Sequence, residues 1–115
     1  METIVDIARE TIDGIMVMTP RGRVDSNSAR ELEEALLPLF DGGAPVLVDL
    51  DQMSYISSAG LRVLLLAARR SKATSLPLAL CSMSKPVEEV FTISGFAKLF
   101  RIHPNRADAL AALKG

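Results

Sequence analysis

Residues 46–70 read VLVDLDQMSYISSAGLRVLLLAARR, and two periodicities meet inside them. Val46, Leu47, Val48 and Leu50 form a short apolar run, opened by Pro45 and ended by polar residues, the pattern of a strand covered on both faces. From Leu61 the apolar residues fall at 61, 64, 65 and 68, which is helical spacing. The stretch therefore predicts a strand, a short loop and a helix whose first turn carries Ser57 and Ser58, just ahead of Ala59 and Gly60. At a helix start several backbone N–H groups lack partners and the peptide dipoles present partial positive charge. A serine there has two uses. It can cap the helix, which is worth roughly 1 kcal/mol over alanine, or it can accept a group that gains negative charge, such as a phosphate. Spacing alone leaves both open.

Working outward, residues 4–11 alternate loosely, with Ile4 and Ile7 among polar neighbours, and Asp13-Gly14 is a strong hairpin-turn signal. Ile15–Met18 is a second β-like run, and Pro20, Arg21 and Gly22 are expected to end its regular part. Asp25, Ser26, Asn27 and Ser28 offer N-cap candidates before Ala29, Leu32, Leu36 and Leu39, an amphipathic helix of about three to four turns that stops at Asp41-Gly42-Gly43. Past the central helix, residues 71–75 read as a loop and residues 76–81 as another apolar strand. Ser84 or Lys85 caps a further helix with Pro86 in its first turn, closed by Gly95. Leu99, Phe100 and Ile102 suit a last short strand, and residues 107–113 a terminal helix. Strand and helix alternate from residue 22 onward, which implies parallel crossover units, while the opening hairpin is antiparallel. The expected architecture is α/β: a mixed β-sheet of four to five strands with about four α-helices packed against it. No repeat, linker or low-complexity segment divides the chain, so residues 1–115 are expected to form a single domain.

Composition narrows the function classes. With 115 residues and 49% hydrophobic content the chain can form one core. A net charge of -1 gives no electrostatic case for nucleic acid or an acidic membrane surface. The single cysteine, Cys81, excludes an internal disulfide and a cysteine-rich metal site, and its apolar setting predicts a buried side chain. Glu2 and Asp6 interrupt any apolar run at the start, and no stretch approaches the ~18 uninterrupted apolar residues of a membrane span. The expectation is a soluble cytoplasmic protein. Met16, Met18 and Met53 are expected in the core.

Nothing in the residue pattern assembles a catalytic site, so no enzyme activity, metal or cofactor is expected. His103, the only histidine, has no histidine or cysteine companions nearby in sequence and is expected to be a solvated surface residue. Asp49 and Asp51 point the same way at a strand end and read as solvated acids. Asp41-Gly42-Gly43-Ala44 follows a helix instead of opening one and has no lysine in place, so it is no phosphate loop. Arg62 lies four residues from Ser58, and Arg69 seven from Arg62, so the three share a helix face. That face is either a plain solvated surface or one where Arg62 pairs with a phosphate on Ser58 and a protein partner docks.

The chain resembles a known family. Its central strand, followed by a loop ending in Ser57-Ser58-Ala59-Gly60-Leu61, is similar to the signature of STAS domains, Asp-Ser-Ser/Thr-Gly-Leu, and in particular to stand-alone bacterial anti-sigma-factor antagonists. Gly22-Arg23-Val24-Asp25 resembles the family's Gly-x-Leu-Asp turn, and residues 84–100, SKPVEEVFTISGFAKLF, its third helix and the Ser-Gly-aromatic segment after it. The resemblance puts Ser58 on the phosphorylated position, with Ser57 where the family has aspartate and Ala59 where it has a second hydroxyl; Ser57 is the alternative acceptor. It implies a partner-binding surface of Asp25, Ser57, Ser58, Ala59, Gly60 and Arg62, although residue type alone favours Asp25 as an N-cap of the first helix. It also implies the partners: a serine-kinase anti-sigma factor that binds ATP, sequestered by the dephosphorylated form so that the sigma factor is released, and a metal-dependent serine phosphatase that resets the cycle. A monomer or weak dimer is expected. Two other classes remain. STAS domains also serve as accessory subunits of lipid-transport ABC complexes or as scaffolds, without phosphorylation, and open sheets of this kind can bind small ligands at their strand ends.

Overall fold

The computed structural model describes residues 6–114, so Ile4, placed above in the first strand, lies outside the described residues. Strand β1 (Asp6–Ile12) turns into β2 (Ile15–Val24) as an antiparallel hairpin. Asp13 and Gly14 both take positive φ, 52° and 80°, the pairing that matches a two-residue turn to the right-handed twist of its strands. Helix α1 (Ala29–Leu36) runs into a 3-10 turn over Leu37–Asp41, where Pro38 sits in the first positions. Then come β3 (Val46–Asp49), β4 (Met53–Ile56), α2 (Ser58–Thr74), β5 (Leu78–Cys81), α3 (Lys85–Ser94), a 3-10 turn at Phe96–Leu99, β6 (Arg101–His103) and α4 (Arg106–Leu113).

The main sheet runs β1-β2-β3-β5-β6, with every pair after the hairpin parallel. This is the expected mixed α/β fold with four helices, but it holds six strands, one more than the pattern suggests. The additional strand is β4, which lies inside the expected loop and pairs in parallel with the far half of β2, Gly22 to Met53 and Val24 to Ile56. Its sequence, MSYI, is too short for a period to show, yet Met53 and Ile56 are fully buried. β2 can serve both partners because it continues through Pro20 and kinks at Gly22. There the register shifts and φ reaches +97°, a conformation glycine adopts without strain.

Further boundaries differ: α1 ends at Leu36 and not at Leu39, and β5 begins at Leu78 and not at Leu76. Residues 71–74 are not loop but the last turn of α2. The Ser71 hydroxyl donates to the Leu76 carbonyl and the Thr74 hydroxyl to the Arg70 carbonyl at 2.9 Å, so both polar side chains are satisfied in the helix. Leu99 belongs to the 3-10 turn, leaving β6 only three residues.

Strand alternation sorts the core onto two faces. Val46, Val48, Leu78 and Leu80 join residues of α1, α2 and α3, with Phe40 and Phe91, in the larger cluster. Leu47, Ala79 and Cys81 face the other way and meet Ala109 and Leu113 of α4. The central strand is thus covered on both sides. Met18 and Met53 are buried in the larger cluster, while Met16 is only partly covered.

Candidate functional site

The start of α2 is set by three contacts. The Ser57 N–H donates to the Val24 carbonyl at 2.8 Å, which ties the end of β4 to the end of β2. Ser57, in extended conformation, is the N-cap: its hydroxyl accepts from the Gly60 N–H at 3.3 Å and its carbonyl from the Leu61 N–H at 2.9 Å. Gly60 is buried against the sheet, and a Cβ there would lie 2.7 Å from Ile56 Cγ1 and 2.8 Å from Val24 Cγ1. Only glycine permits this approach.

Capping by Ser57 leaves Ser58 as the first helical residue, exposed, and among the described residues its hydroxyl makes no hydrogen bond. Of the two serines, the capping role falls to Ser57. Ala59 is half-buried. Arg62, one turn along, is exposed and has no carboxylate partner among the described residues, whose ion pairs lie elsewhere.

Asp25 does not cap α1. The cap position is Ser28, and even its side chain makes no capping bond to the helix. Asp25 instead closes the turn before it: its carboxylate accepts from the Asn27 N–H at 2.9 Å, and its carbonyl from the Ser28 and Ala29 N–H groups. Ser28, fully buried, accepts from the Asp25 N–H and donates to the Arg23 carbonyl, both at 3.0 Å. The Asn27 N–H, foremost, holds the Asp25 carboxyl below its usual value against partial desolvation, and the Ser28 N–H and the Arg23 guanidinium act in the same direction. Since Val24 pairs with Ile56, this turn lies beside Ser57.

Two residues join this surface that the sequence did not single out. Arg23 lies over the Tyr55 ring, 4.2 Å from its centroid, and reaches Asp25 at 3.5 Å. Their partnership follows from the β2–β4 register, which pairs Arg23 with Tyr55, and no signal for it exists until β4 is recognised as a strand.

Elsewhere, Asp49 is not a solvated acid. It is 5% exposed, faces α4 and accepts from Arg106 Nε at 2.9 Å and from the Asp51 N–H at 3.0 Å. Asp51 itself is exposed. Arg106 also reaches Glu10 Oε2 at 3.0 Å and Thr19 Oγ1 at 3.3 Å. His103 is likewise not fully solvated: it ends β6 beside Cys81, half-buried, with Nε2 buried and, among the described residues, without a hydrogen-bond partner. Cys81 is buried as expected, and burial, its main influence, pushes the thiol up to about 11. Among the described residues no group of three or more His, Cys, Asp or Glu is placed to hold a metal ion, and no helix is long and apolar enough to cross a membrane.

Comparison with known proteins gives the same picture. The STAS domain family model matches residues 6–109. BtrV of Bordetella bronchiseptica, provisionally named an anti-sigma factor antagonist, is 40% identical over 109 residues, covering 94% of each chain. The anti-sigma-B factor antagonist of Bacillus subtilis is 32% identical over 81 residues, 70% of this chain and 74% of its own. Among solved structures, an anti-sigma factor antagonist from Mycobacterium paratuberculosis superposes with a TM-score of 0.86 at 22% identity, covering 96% of this chain and 95% of that one, a likeness of fold. With its signature loop, its six-stranded mixed sheet and these relatives together, the chain belongs to the STAS domain family.

Proposed function

We propose that this chain is an anti-sigma-factor antagonist that works as a phosphorylation-controlled binding switch, with Ser58 as the acceptor. One observation carries the reading: Ser57 supplies the cap, so Ser58 stands free and exposed at the helix start. A hydroxyl committed to capping would have to break its bond before it could attack a phosphoryl group. Ser58 has no such cost. The relatives named as anti-sigma factor antagonists support an anti-sigma factor as the partner class; in this proposal that partner is a serine kinase, and a metal-dependent serine phosphatase reverses the modification. In this reading residues 1–115 act as one domain in the cytoplasm, perform no catalysis and are the substrate of their partner.

The physical logic is a change of charge on a surface that must be desolvated to bind. Asp25, the Arg23–Tyr55 pair, Ser57, Ser58 and Arg62 surround the start of α2 and form the docking surface. A phosphate adds about -1.5 to -2 charges there. Arg62, one turn on, is free to pair with it and so withdraws from the partner. A loss of about 3 kcal/mol of interface energy releases the complex roughly a hundredfold. Ser57, standing where the family has a carboxylate, keeps the accessory-subunit reading in play, since it removes a charge next to the acceptor.

The test is incubation with ATP and the candidate serine kinases of the same host, followed by peptide mass spectrometry. A single phosphate is expected in the wild type and in Ser57→Ala and absent from Ser58→Ala. Complex formation with the same kinase is expected for the unmodified protein and lost on phosphorylation. A chain that binds such a kinase yet is never phosphorylated, or one modified only at Ser57, defeats the assignment of Ser58.

A further inference from the structure

The helix face that carries Ser58 and Arg62 continues to Arg69, whose surroundings point to a second use of α2. Between the C-terminal half of α2 and the 3-10 turn that leads into β6 lies a groove of about 310 Å³, open to solvent along one side. Leu65 and Ala68 of α2, Leu78 of β5, and Leu99 and Phe100 form its apolar wall. Leu99 is 54% exposed, so part of this apolar wall is open to solvent. Three cations line the same groove, Arg69, Lys72 and Arg101, and no acidic residue does. Among the described residues none of the three has a carboxylate partner, although Arg70, their neighbour, is paired with Asp41. Positive charge is therefore gathered around an apolar surface and left uncompensated, in a chain whose net charge is -1.

We infer that this groove binds a free single-chain acyl anion, a fatty acid whose chain lies against Leu65, Leu99 and Phe100 while its carboxylate meets the Arg69, Lys72 and Arg101 side chains. The occupant follows from the lining. A nucleotide base needs neutral donors and acceptors to be read, and the one neutral polar side chain here, Ser71, already donates its hydroxyl to the Leu76 carbonyl. The volume stands at the small end of the range for ligand sites, enough for one chain. A membrane surface presents a plane of headgroups, whereas this surface is a groove between α2 and the segment leading into β6. Arginine forks match a carboxylate in two parallel bonds, and the long stems of all three cations extend the apolar wall. This site lies at the opposite end of α2 from Ser58, so the inference does not depend on the switch.

The experiment is calorimetric titration of the full chain with decanoate below its micelle-forming concentration, with backbone amide NMR shifts recorded in parallel. Saturable one-to-one binding is expected, with the largest shifts at Leu65, Leu99, Phe100 and Arg101 and little change at Ser58. Arg69→Glu with Arg101→Glu, both at exposed positions, is expected to weaken binding at least tenfold while leaving the melting temperature within a few degrees. Decyltrimethylammonium, with the same chain and opposite charge, is expected not to bind. Equal affinity for the two amphiphiles, unchanged affinity in the double variant, shifts confined to other surfaces, or binding to anionic phospholipid vesicles or to ATP without binding to decanoate would each overturn the proposal.

Discussion

The two faces of the sheet are held by different physics. On the larger face, α2 meets the ends of β2 and β4 through close apolar contact, with Gly60 against Val24 and Ile56, and only backbone and cap hydrogen bonds fix the serines. On the smaller face, α4 covers a few aliphatic side chains and is anchored by a charge, Arg106 reaching Asp49, Glu10 and Thr19. Contact packing holds atoms to within a few tenths of an ångström, because interiors are close-packed and resist deformation. A long cationic side chain tolerates more movement but ties together parts distant in sequence, here residues 10, 19, 49 and 106. In the proposed switch, the part of the molecule that presents the Ser58 hydroxyl uses the first device, and the part that only needs closing uses the second.

Substitutions can break this contrast or sharpen it. The largest effect is expected at Gly60: Gly60→Val puts a branched side chain where even a Cβ comes within 2.8 Å of two β-branched neighbours, and overpacking of this kind should cost about 3 kcal/mol or more. Chemical denaturation would show it, together with loss of the amide pattern at the start of α2. A Gly60→Val protein as stable as the wild type would mean the helix start is softer than the contacts imply.

Next comes Arg106→Met, which leaves the Asp49 carboxylate buried beside a methionine. Removing one member of a buried pair costs several kcal/mol, and because the Arg106 side chain is itself 34% exposed a loss of about 2 kcal/mol is expected by the same denaturation assay. The loss should be felt first in α4, as faster amide exchange over residues 107–113. Uniform exchange loss across both faces would erase the distinction drawn here.

The serines give a smaller and more discriminating result. Ser57→Ala removes a cap and should cost about 1 kcal/mol, whereas Ser58→Ala should leave stability within a few tenths of a kcal/mol or raise it slightly, alanine being the better helix former. Equal losses in thermal melts would show that both hydroxyls serve the helix, and would remove the ground for treating Ser58 as free.

The smallest effect is a pH dependence. Asp25 has its carboxyl held below the ordinary 3.8 in the folded chain, so its ionised form stabilises the fold above that value. The contribution is lost as pH falls through the lower folded value. Asp25→Asn should therefore lower stability slightly near pH 7 and flatten the acid limb below about pH 4, so that the variant and the wild type converge at low pH. An acid limb identical to that of the wild type would show that the turn does not draw on this carboxylate.

The fold was legible wherever a period had room to appear: the apolar run of β3, the helical spacing of α2, the Asp13-Gly14 turn, and Pro86 opening α3. What escaped was of two kinds. β4 has four residues and pairs with a strand about thirty positions earlier, past a bulge, so neither alternation nor turn residues announce it. The Asp49–Arg106 pair spans 57 residues, and nothing local to Asp49 distinguishes an acid that meets an arginine from one that meets water. At the candidate site, Gly60, Ser57 and Ser58 were visible as a cluster, but which serine caps depends on one backbone conformation, the extended Ser57. Arg23 and Tyr55 were invisible for the same reason as β4.

Only one residue, Ser57, separates the end of β4 from the first residue of α2. Both sides of it are fixed, β4 by its ladder with β2 and the helix by the Gly60 contact, so the connection has no slack in length. One inserted residue would need about 3.3 Å of strand rise or about 100° of helix rotation to absorb, and neither neighbour can supply it. Among descendants of this gene, insertions and deletions should accumulate around residues 41–45 and 104–105 and be absent between residues 53 and 61. A change of length in this segment is therefore expected to be tolerated less than a change in the identity of its exposed residues.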